Sequence, residues 1–360
     1  VAMNKRIFKE QTSESGDIPF YKIGTFGATA DAFISRELFE TYKKKYPYPK
    51  IGDLLISASG SIGRVVEYKG NDEYFQDSNI VWLKHDDRIN NLFLKQFYSI
   101  VKWHGLEGST IKRLYNKNIL ETTIHLPVFD EQEKIGTLFK QLDDIITLHQ
   151  RKLEQLKELK KAYLQAMFVP TNVQNNKVPK LRFANFEGNW ELCKLENVID
   201  KQIKGKVKVE NLCNGSVEYL DANRLNGGKP IYTKALPDVS ERDIIILWDG
   251  SKAGKVYYGF KGVLGSTLKA YQLKECANSQ FIYQQLLDNQ NNIYNNYRTP
   301  NIPHVVKNFS SIFPIWMTSF EEQSQMADIL SNLDNRIILQ QNLTDTMISL
   351  KKSYLQNMFI

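Results

Sequence analysis

Cysteine is almost missing from this chain. There are three in 360 residues, Cys193, Cys213 and Cys276, each alone and outside any C-x-x-C pair. A disulfide framework or a structural zinc site needs paired thiols, so reduced cysteines in a cytoplasm are expected instead. No apolar run approaches the roughly 18 residues of a membrane span, so no membrane partner is expected. The opening VAMNKRIFKEQ lacks the apolar core of a signal peptide, which leaves no argument for export. The five histidines, His85, His104, His125, His149 and His304, make no metal-ligand spacing with one another or with the cysteines.

Catalytic motifs are missing as well. GSKAGK (250–255) approximates a phosphate-binding loop, but its glycines are wrongly spaced and Val256 stands where Ser or Thr is required. SASGSIG falls short of G-x-G-x-x-G and lies between strand signals. No Asn-Pro-Pro-aromatic or Asp-Pro-Pro-aromatic tetrapeptide offers to hold an extruded base. Pro237, Asp238 and Asp249 evoke a nuclease site, but no acid-x-Lys triplet follows. The chain is expected to be no enzyme and to hold no cofactor or metal.

What is present is positive charge and a repeat. The net charge of +7 and pI near 9.0 lean towards a polyanionic partner. Shifted by 191 positions, residues 129–168 lie on residues 320–359 without a gap and with 16 identities. These include Glu131-Gln132 with Glu322-Gln323, Leu142-Asp143 with Leu333-Asp334, and the endings KKAYLQAMF and KKSYLQNMF. The chain is therefore two halves, each a variable globular part followed by the same kind of long segment.

Both segments read as helices. Ile135, Leu138, Leu142, Ile145, Leu156, Leu159 and Tyr163 follow three- and four-residue steps, interrupted by His149 and Lys152. Met326, Ile329, Leu333, Leu343, Met347, Leu350 and Tyr354 repeat the pattern, interrupted by Arg336 and Gln340. Acid at each start and base near each end suit the macrodipole. Each stripe would stand exposed alone, so the two helices, about 50 Å long, are expected to pack antiparallel.

The globular parts, 1–126 and 179–315, share an order of signals. DLLIS and GRVVEY flank one Gly/Ser turn; DIIILW and KVYYGF flank another. Helical stretches follow, NLFLKQFYSIVKW and SQFIYQQLLDNQNNIYN, then polar segments. The fold class is thus α+β: two repeated mixed α/β units joined by two long helices that form an antiparallel coiled coil. Loop residues in both halves supply candidates for contact with double-stranded DNA: Ser61, Arg64, Lys112, Arg113 and Tyr115 in the first, and Lys204, Lys206, Lys208, Lys252, Lys255, Tyr297 and Arg298 in the second. Lys and Arg neutralise phosphates, while polar side chains discriminate base edges. Any one of these could be a solvated surface charge; as a set repeated in both halves, they favour DNA.

The paired segments FDEQEKIGTLFKQLDDIITLHQRKLEQLKELKKAYLQAMF and SFEEQSQMADILSNLDNRIILQQNLTDTMISLKKSYLQNMF, with VPKLRFANFEGNWELCKLENVI opening the second half, resemble the specificity subunit of type I restriction–modification enzymes. GDLLISASGSIG and GSTIKRL also look like that family's target-recognition domains. The resemblance implies two target-recognition domains (1–126, N-terminally short, and 179–315), two spacer helices (129–168 and 320–360) and a linker (169–178). It implies that each domain reads one half of a split asymmetric site while the helices act as a ruler. The helices would also dock two methyltransferase subunits, through candidates Leu142, Leu156, Tyr163, Leu333, Met347 and Tyr354, and through them restriction and motor subunits. S-adenosylmethionine, ATP and Mg2+ would belong to those partners. The other reading is a two-domain protein–protein scaffold whose helical pair oligomerises. One departure from the repeat stands out: the second half opens with Pro179, Lys180, Leu181, Arg182, Phe183 and Trp190, for which the first half has no counterpart.

Overall fold

The structure, a computed structural model, describes residues 1–104, 112–170, 177–208 and 214–359. Cys213, residues 108–111 of GSTIKRL and residues 171–176 of the linker lie outside the described residues. Two compact units emerge, Val1–Gln150 with Leu343–Ile360, and Arg151–Asn342. Each long helix therefore gives one part to each unit, whereas the sequence reading set the helices apart as separate segments. Among the described residues, no helix is long and apolar enough to cross a membrane.

The first unit contains two small sheets. One orders Phe33–Ile34, Ile18–Tyr21 and Tyr74–Phe75, antiparallel then parallel. The other orders Val65–Glu67, Leu54–Ser57 and Ile80–Trp82, all antiparallel, with Ala2 bridging to Trp82. The second unit repeats both. Ile231–Thr233, Val217–Leu220 and Val263–Leu264 run in the same directions as the first trio. Val256–Tyr257, Ile244–Leu247, Leu268–Leu273 and Ile199–Lys204 repeat the second sheet with a full fourth strand. The runs LLIS, apolar up to Ser57, and IIIL, wholly apolar, form these central strands, and every residue in them is buried. The expected strand–turn–strand is present in both units.

The second unit has one further pair, Pro314–Met317 antiparallel to Glu191–Lys194. Helix Asn91–Ile100 starts at Asn90, whose side chain accepts from Leu92 and Phe93 N–H; Ser279–Asp288 starts at Asn278, which accepts from Phe281 N–H. The helical stretch expected over 279–295 breaks at Asn289, whose backbone and side chain both donate to the Gln285 carbonyl. A separate helix, Gln290–Asn296, follows.

The long helices run Phe129–Met167 and Phe320–Met358. The repeated glutamine fixes each to its own unit. Buried Gln132 accepts Asn90 N–H at 2.9 Å and donates to the Arg88 and Pro127 carbonyls. Gln323 does the same with Asn278 N–H, Cys276 and Thr318. In the first unit Lys351 pairs with Asp143 at 2.6 Å while Phe359 packs near Phe139, so the helix segments run antiparallel there. In the second, Lys160 pairs with Asp334 at 2.5 Å while Met167 lies with Met326, again antiparallel.

The buried stripe differs from the expected one at alternate positions. Phe139, Leu142, Ile146, Leu153, Leu156 and Lys160 are buried, while Ile145, Lys152 and Leu159 are exposed. On the second helix Leu330, Leu333 and Thr344 are buried, while Arg336, Leu343 and Leu350 are exposed. Positions 142, 156 and 333 were read correctly; the intervening step is four then three, not three then four. Two lysines explain the error. Lys160 and Lys351 occupy seam positions satisfied by Asp334 and Asp143, which a count of apolar residues passes over.

Candidate nucleic-acid interface

In each unit the turn between the two central strands gathers the candidate side chains. Gly60 and Gly63 in the first, and Gly250 and Gly254 in the second, have φ of 65°, 82°, 112° and 93°. Glycine reaches this left-handed region without strain. Two of the four are also sterically confined: a Cβ on Gly63 would stand 2.9 Å from Trp103 Nε1, and one on Gly254 2.8 Å from Ile293 Cγ2.

In the first unit the turn is closed by buried Ser57, whose hydroxyl donates to the Ser61 carbonyl and accepts Arg64 N–H. Ser61 and Arg64 are thereby held at the exposed rim, and the Arg64 guanidinium donates to the Phe26 carbonyl at 2.7 Å. Ser59 bridges to Arg113 along the backbone, and the Arg113 guanidinium reaches Ser78 Oγ at 3.0 Å and Asn79 Oδ1 at 3.1 Å. Ser59 Oγ donates to the same Asn79 oxygen at 2.8 Å. Lys112 and Tyr115 flank this cluster and are exposed.

In the second unit Lys252 is exposed at the turn, and Arg298 donates to the Ser251 carbonyl at 3.2 Å while lying over the Tyr294 ring. Lys255 Nζ donates to Asn226 Oδ1 at 2.5 Å and sits over Tyr257. The turn is backed by Pro303 and His304, through Gly250 N–H to the Pro303 carbonyl and an Asp249–His304 bridge. Lys204 lies across the ladder from Lys269, whose Nζ is 3.2 Å from the centroid of the Trp248 ring. Exposed Lys206 and Lys208 continue that edge, with Val207 bridged to Gly265 between them.

Two of these lysines are electrostatically unsettled. Burial, and then Lys252, lower the pKa of Lys255. Burial, and then Lys204, lower that of Lys269, with Asp249 opposing. A cluster of mutually repelling cations on a surface is relieved by an arriving polyanion.

Tyr297, expected to face DNA, is half-buried and packs against Phe309 and Phe313 at centroid distances of 5.6 and 5.1 Å, at the margin of the main core of its unit. The sequence reading missed Ser59, Asn79, Trp248, Lys269 and His304. Trp248 and Asp249 directly follow the apolar strand run, which was the available signal; Lys269 and Asn79 come from strand neighbours that only the ladder brings in.

The candidates for partner docking fall into two groups. Leu142, Leu156 and Leu333 are buried between the helices, so they offer no outward face. Tyr163 and Met347 are half-buried and Tyr354 is exposed. Exposed apolar side chains lie elsewhere, at the repeat-related Leu148 and Leu339 (62% and 69% exposed) and at Leu159 and Leu350. Among the described residues no group of three or more His, Cys, Asp or Glu side chains could hold a metal ion.

Comparison with known proteins fits this double construction. A family model described as the type I restriction modification DNA specificity domain matches residues 1–158 and again 187–347. The chain is similar to a type I restriction enzyme specificity subunit of Haemophilus influenzae, 54% identical over 146 residues, or 40% of this chain and 38% of that one. It is similar to the MjaVIII specificity subunit of Methanocaldococcus jannaschii, 32% identical over 180 residues, 48% of this chain and 42% of the relative. The chain thus spans about two fifths of the length of each of these relatives. The S subunit of the M. genitalium type I restriction–modification system has the same fold, with a TM-score of 0.70 at 16% identity over 99% of this chain and 92% of that one.

Proposed function

Because this chain belongs to the type I restriction modification DNA specificity domain family, we propose that it is a sequence-specificity subunit without an active site of its own. It reads a bipartite, asymmetric duplex target, one unit to each half-site. The observation that carries this reading is the strand–turn–strand built twice, with glycines at matching places and different side chains at the rims. One scaffold with two dissimilar edges suits two dissimilar half-sites.

Lysines and arginines around each turn set register on the phosphates: Arg64 and Lys112 in the first unit, and Lys204, Lys206, Lys252 and Lys255 in the second. Ser61, Ser59, Asn79 and Arg113, and in the second unit Asp249, Arg298 and His304, offer donors and acceptors to base edges. The long helices serve as the ruler for the spacer. The repeated exposed leucines, Leu148 with Leu339 and Leu159 with Leu350, dock two methyltransferase subunits, and restriction and motor subunits join through them. S-adenosylmethionine, ATP and Mg2+ act in those partners.

The test is fluorescence anisotropy of labelled duplexes with the purified chain, alone and with methyltransferase subunits, followed by mapping of methylated adenine in cells carrying the complex. Salt-sensitive binding and a split methylated motif are expected. Absence of binding at low salt in both states would refute the reading and leave a protein–protein scaffold.

A further inference from the structure

Both units close the turn after the central strand with the same backbone bridge, and the bridge carries different chemistry in the two. Ser59 bridges to Arg113 in the first unit and Asp249 to His304 in the second, both antiparallel. Ser59 and Asp249 are each the second residue past their central strand, Leu54–Ser57 and Ile244–Leu247. The neighbouring hydrogen bonds match as well: Leu114 N–H donates to the Ala58 carbonyl at 2.8 Å, and Val305 N–H to the Trp248 carbonyl at 2.9 Å. Arg113 and His304 stand 191 positions apart, as the long helices do, whereas Ser59 and Asp249 stand 190 apart. One scaffold position therefore holds Ser with Arg in one unit and Asp with His in the other.

In the first unit the pair is a donor. Arg113 is half-buried, and one terminal nitrogen, Nη2, donates to Ser78 Oγ at 3.0 Å and to Asn79 Oδ1 at 3.1 Å, the oxygen that the Ser59 hydroxyl also reaches. Ser78 has φ of 54° and is the one non-glycine residue with positive φ among the described residues. Backbone strain of this kind clusters where a side chain must be held for use. Nε and Nη1 of Arg113 meet no acceptor among the described residues, so two edges of a fixed guanidinium stay available. In the second unit the pair is an acceptor. His304 Nδ1 lies 3.1 Å from the Ile302 carbonyl and 3.0 Å from Thr299 Oγ1, which itself donates to that carbonyl at 2.6 Å. A carbonyl only accepts, so Nδ1 carries the ring proton and the neutral imidazole keeps Nε2 as an acceptor. Asp249 is exposed, and its carboxylate has no hydrogen bond or ion pair among the described residues. A bare carboxylate repels phosphate, and that cost is offset only where a base donates to it.

Resting on the specificity reading, we propose that the bridged pair is a base-discriminating position of each unit, with opposite hydrogen-bond polarity in the two. Arg113 presents its N–H groups to guanine O6 and N7 in the first half-site. Asp249, with His304 Nε2 beside it, accepts from an exocyclic amino group, cytosine N4 or adenine N6, in the second. Ser78 and Asn79 are positioning residues that hold the guanidinium. The lysines around the turns stay on the phosphates, so discrimination and charge neutralisation fall to different side chains.

The test takes the chain with its methyltransferase subunits and measures anisotropy on duplexes in which each base pair of the methylated motif is replaced in turn. Arg113→Lys should lose about tenfold in discrimination at one G·C pair of one half-site, leaving the other half-site untouched. Asn79→Ala should weaken discrimination at that same pair with the salt slope unchanged, which a merely structural defect would not do. Asp249→Ala should lose about tenfold in discrimination at one position of the other half-site and bind unrelated duplex more tightly, because a repelling charge is gone. A uniform loss across the panel in Arg113→Lys, an affected A·T pair, or full discrimination kept in Asp249→Ala would each overturn the proposal. If the unsubstituted complex binds no duplex at low salt, the specificity reading itself fails, which is a separate result.

Discussion

Gln132 shows how much one side chain can carry when it is buried. Its carboxamide satisfies one N–H and two carbonyls where the first long helix meets the loop before Asn91–Ile100. Gln132→Ala strands those groups, at a cost of about 2 kcal/mol, measurable as a lowered denaturation midpoint. Gly136 gives a prediction against helix propensity. Alanine normally gains about 1 kcal/mol over glycine inside a helix. Here a Cβ would meet Leu92 Cβ at 2.6 Å and Phe93 N at 2.7 Å, so Gly136→Ala should destabilise by about 1–3 kcal/mol in thermal unfolding. At the repeat-related position the second helix already holds a buried alanine, Ala327. The glutamine was visible in the sequence as a repeated identity, but its work was not, because two of its three partners, Asn90 and Arg88, lie 42 and 44 residues back along the chain.

At the level of elements, the long helices and the central strands were legible because each carries a run or a period that length alone makes significant. Their seam was legible only in part. Apolar counting placed Ile145, Leu159, Leu343 and Leu350 inward, and all four are exposed. The true seam passes through Lys160, whose side chain is 11% exposed and paired with Asp334, itself held by Gln284 at 2.7 Å. Asp334→Ala leaves that ammonium buried and unpaired and should cost about 3 kcal/mol. Lys160→Met with Asp334→Leu should recover most of the loss, since apolar replacement of a buried pair is often neutral. A double-mutant cycle in urea checks both outcomes. The loops were the least legible elements: Tyr297 looked like a surface ring because its neighbours are polar, yet it is half-buried and packs on Phe309 and Phe313.

For the molecule as a whole, net charge becomes a measurable binding law. Each lysine that neutralises a phosphate should contribute about 0.9 to the slope of log affinity against log salt, so Lys252→Ala and Lys206→Ala should each flatten it by about that amount. The lowered lysines add a pH signature. With folded pKa values below the unfolded ones, Lys255 and Lys269 bind fewer protons when folded, so stability rises with pH across that window. Interface charge is lost over the same window, so affinity should fall as pH climbs from neutral, below the ordinary lysine range near about 10.4. Lys269→Arg should keep its charge and blunt the fall; anisotropy titrations from neutral to alkaline pH at constant ionic strength measure it.

The first unit takes in Leu343–Ile360, where Leu355 and Phe359 pack with Phe139 and Leu142. On a ribosome, Phe139 and Leu142 are made well before Leu355 and Phe359 and must wait for them. At about 5–20 residues per second, the intervening stretch Arg151–Asn342 takes roughly 10–40 s to synthesise. Throughout that interval Phe139 and Leu142 lack their final cover, which makes the nascent first unit a natural client for chaperones.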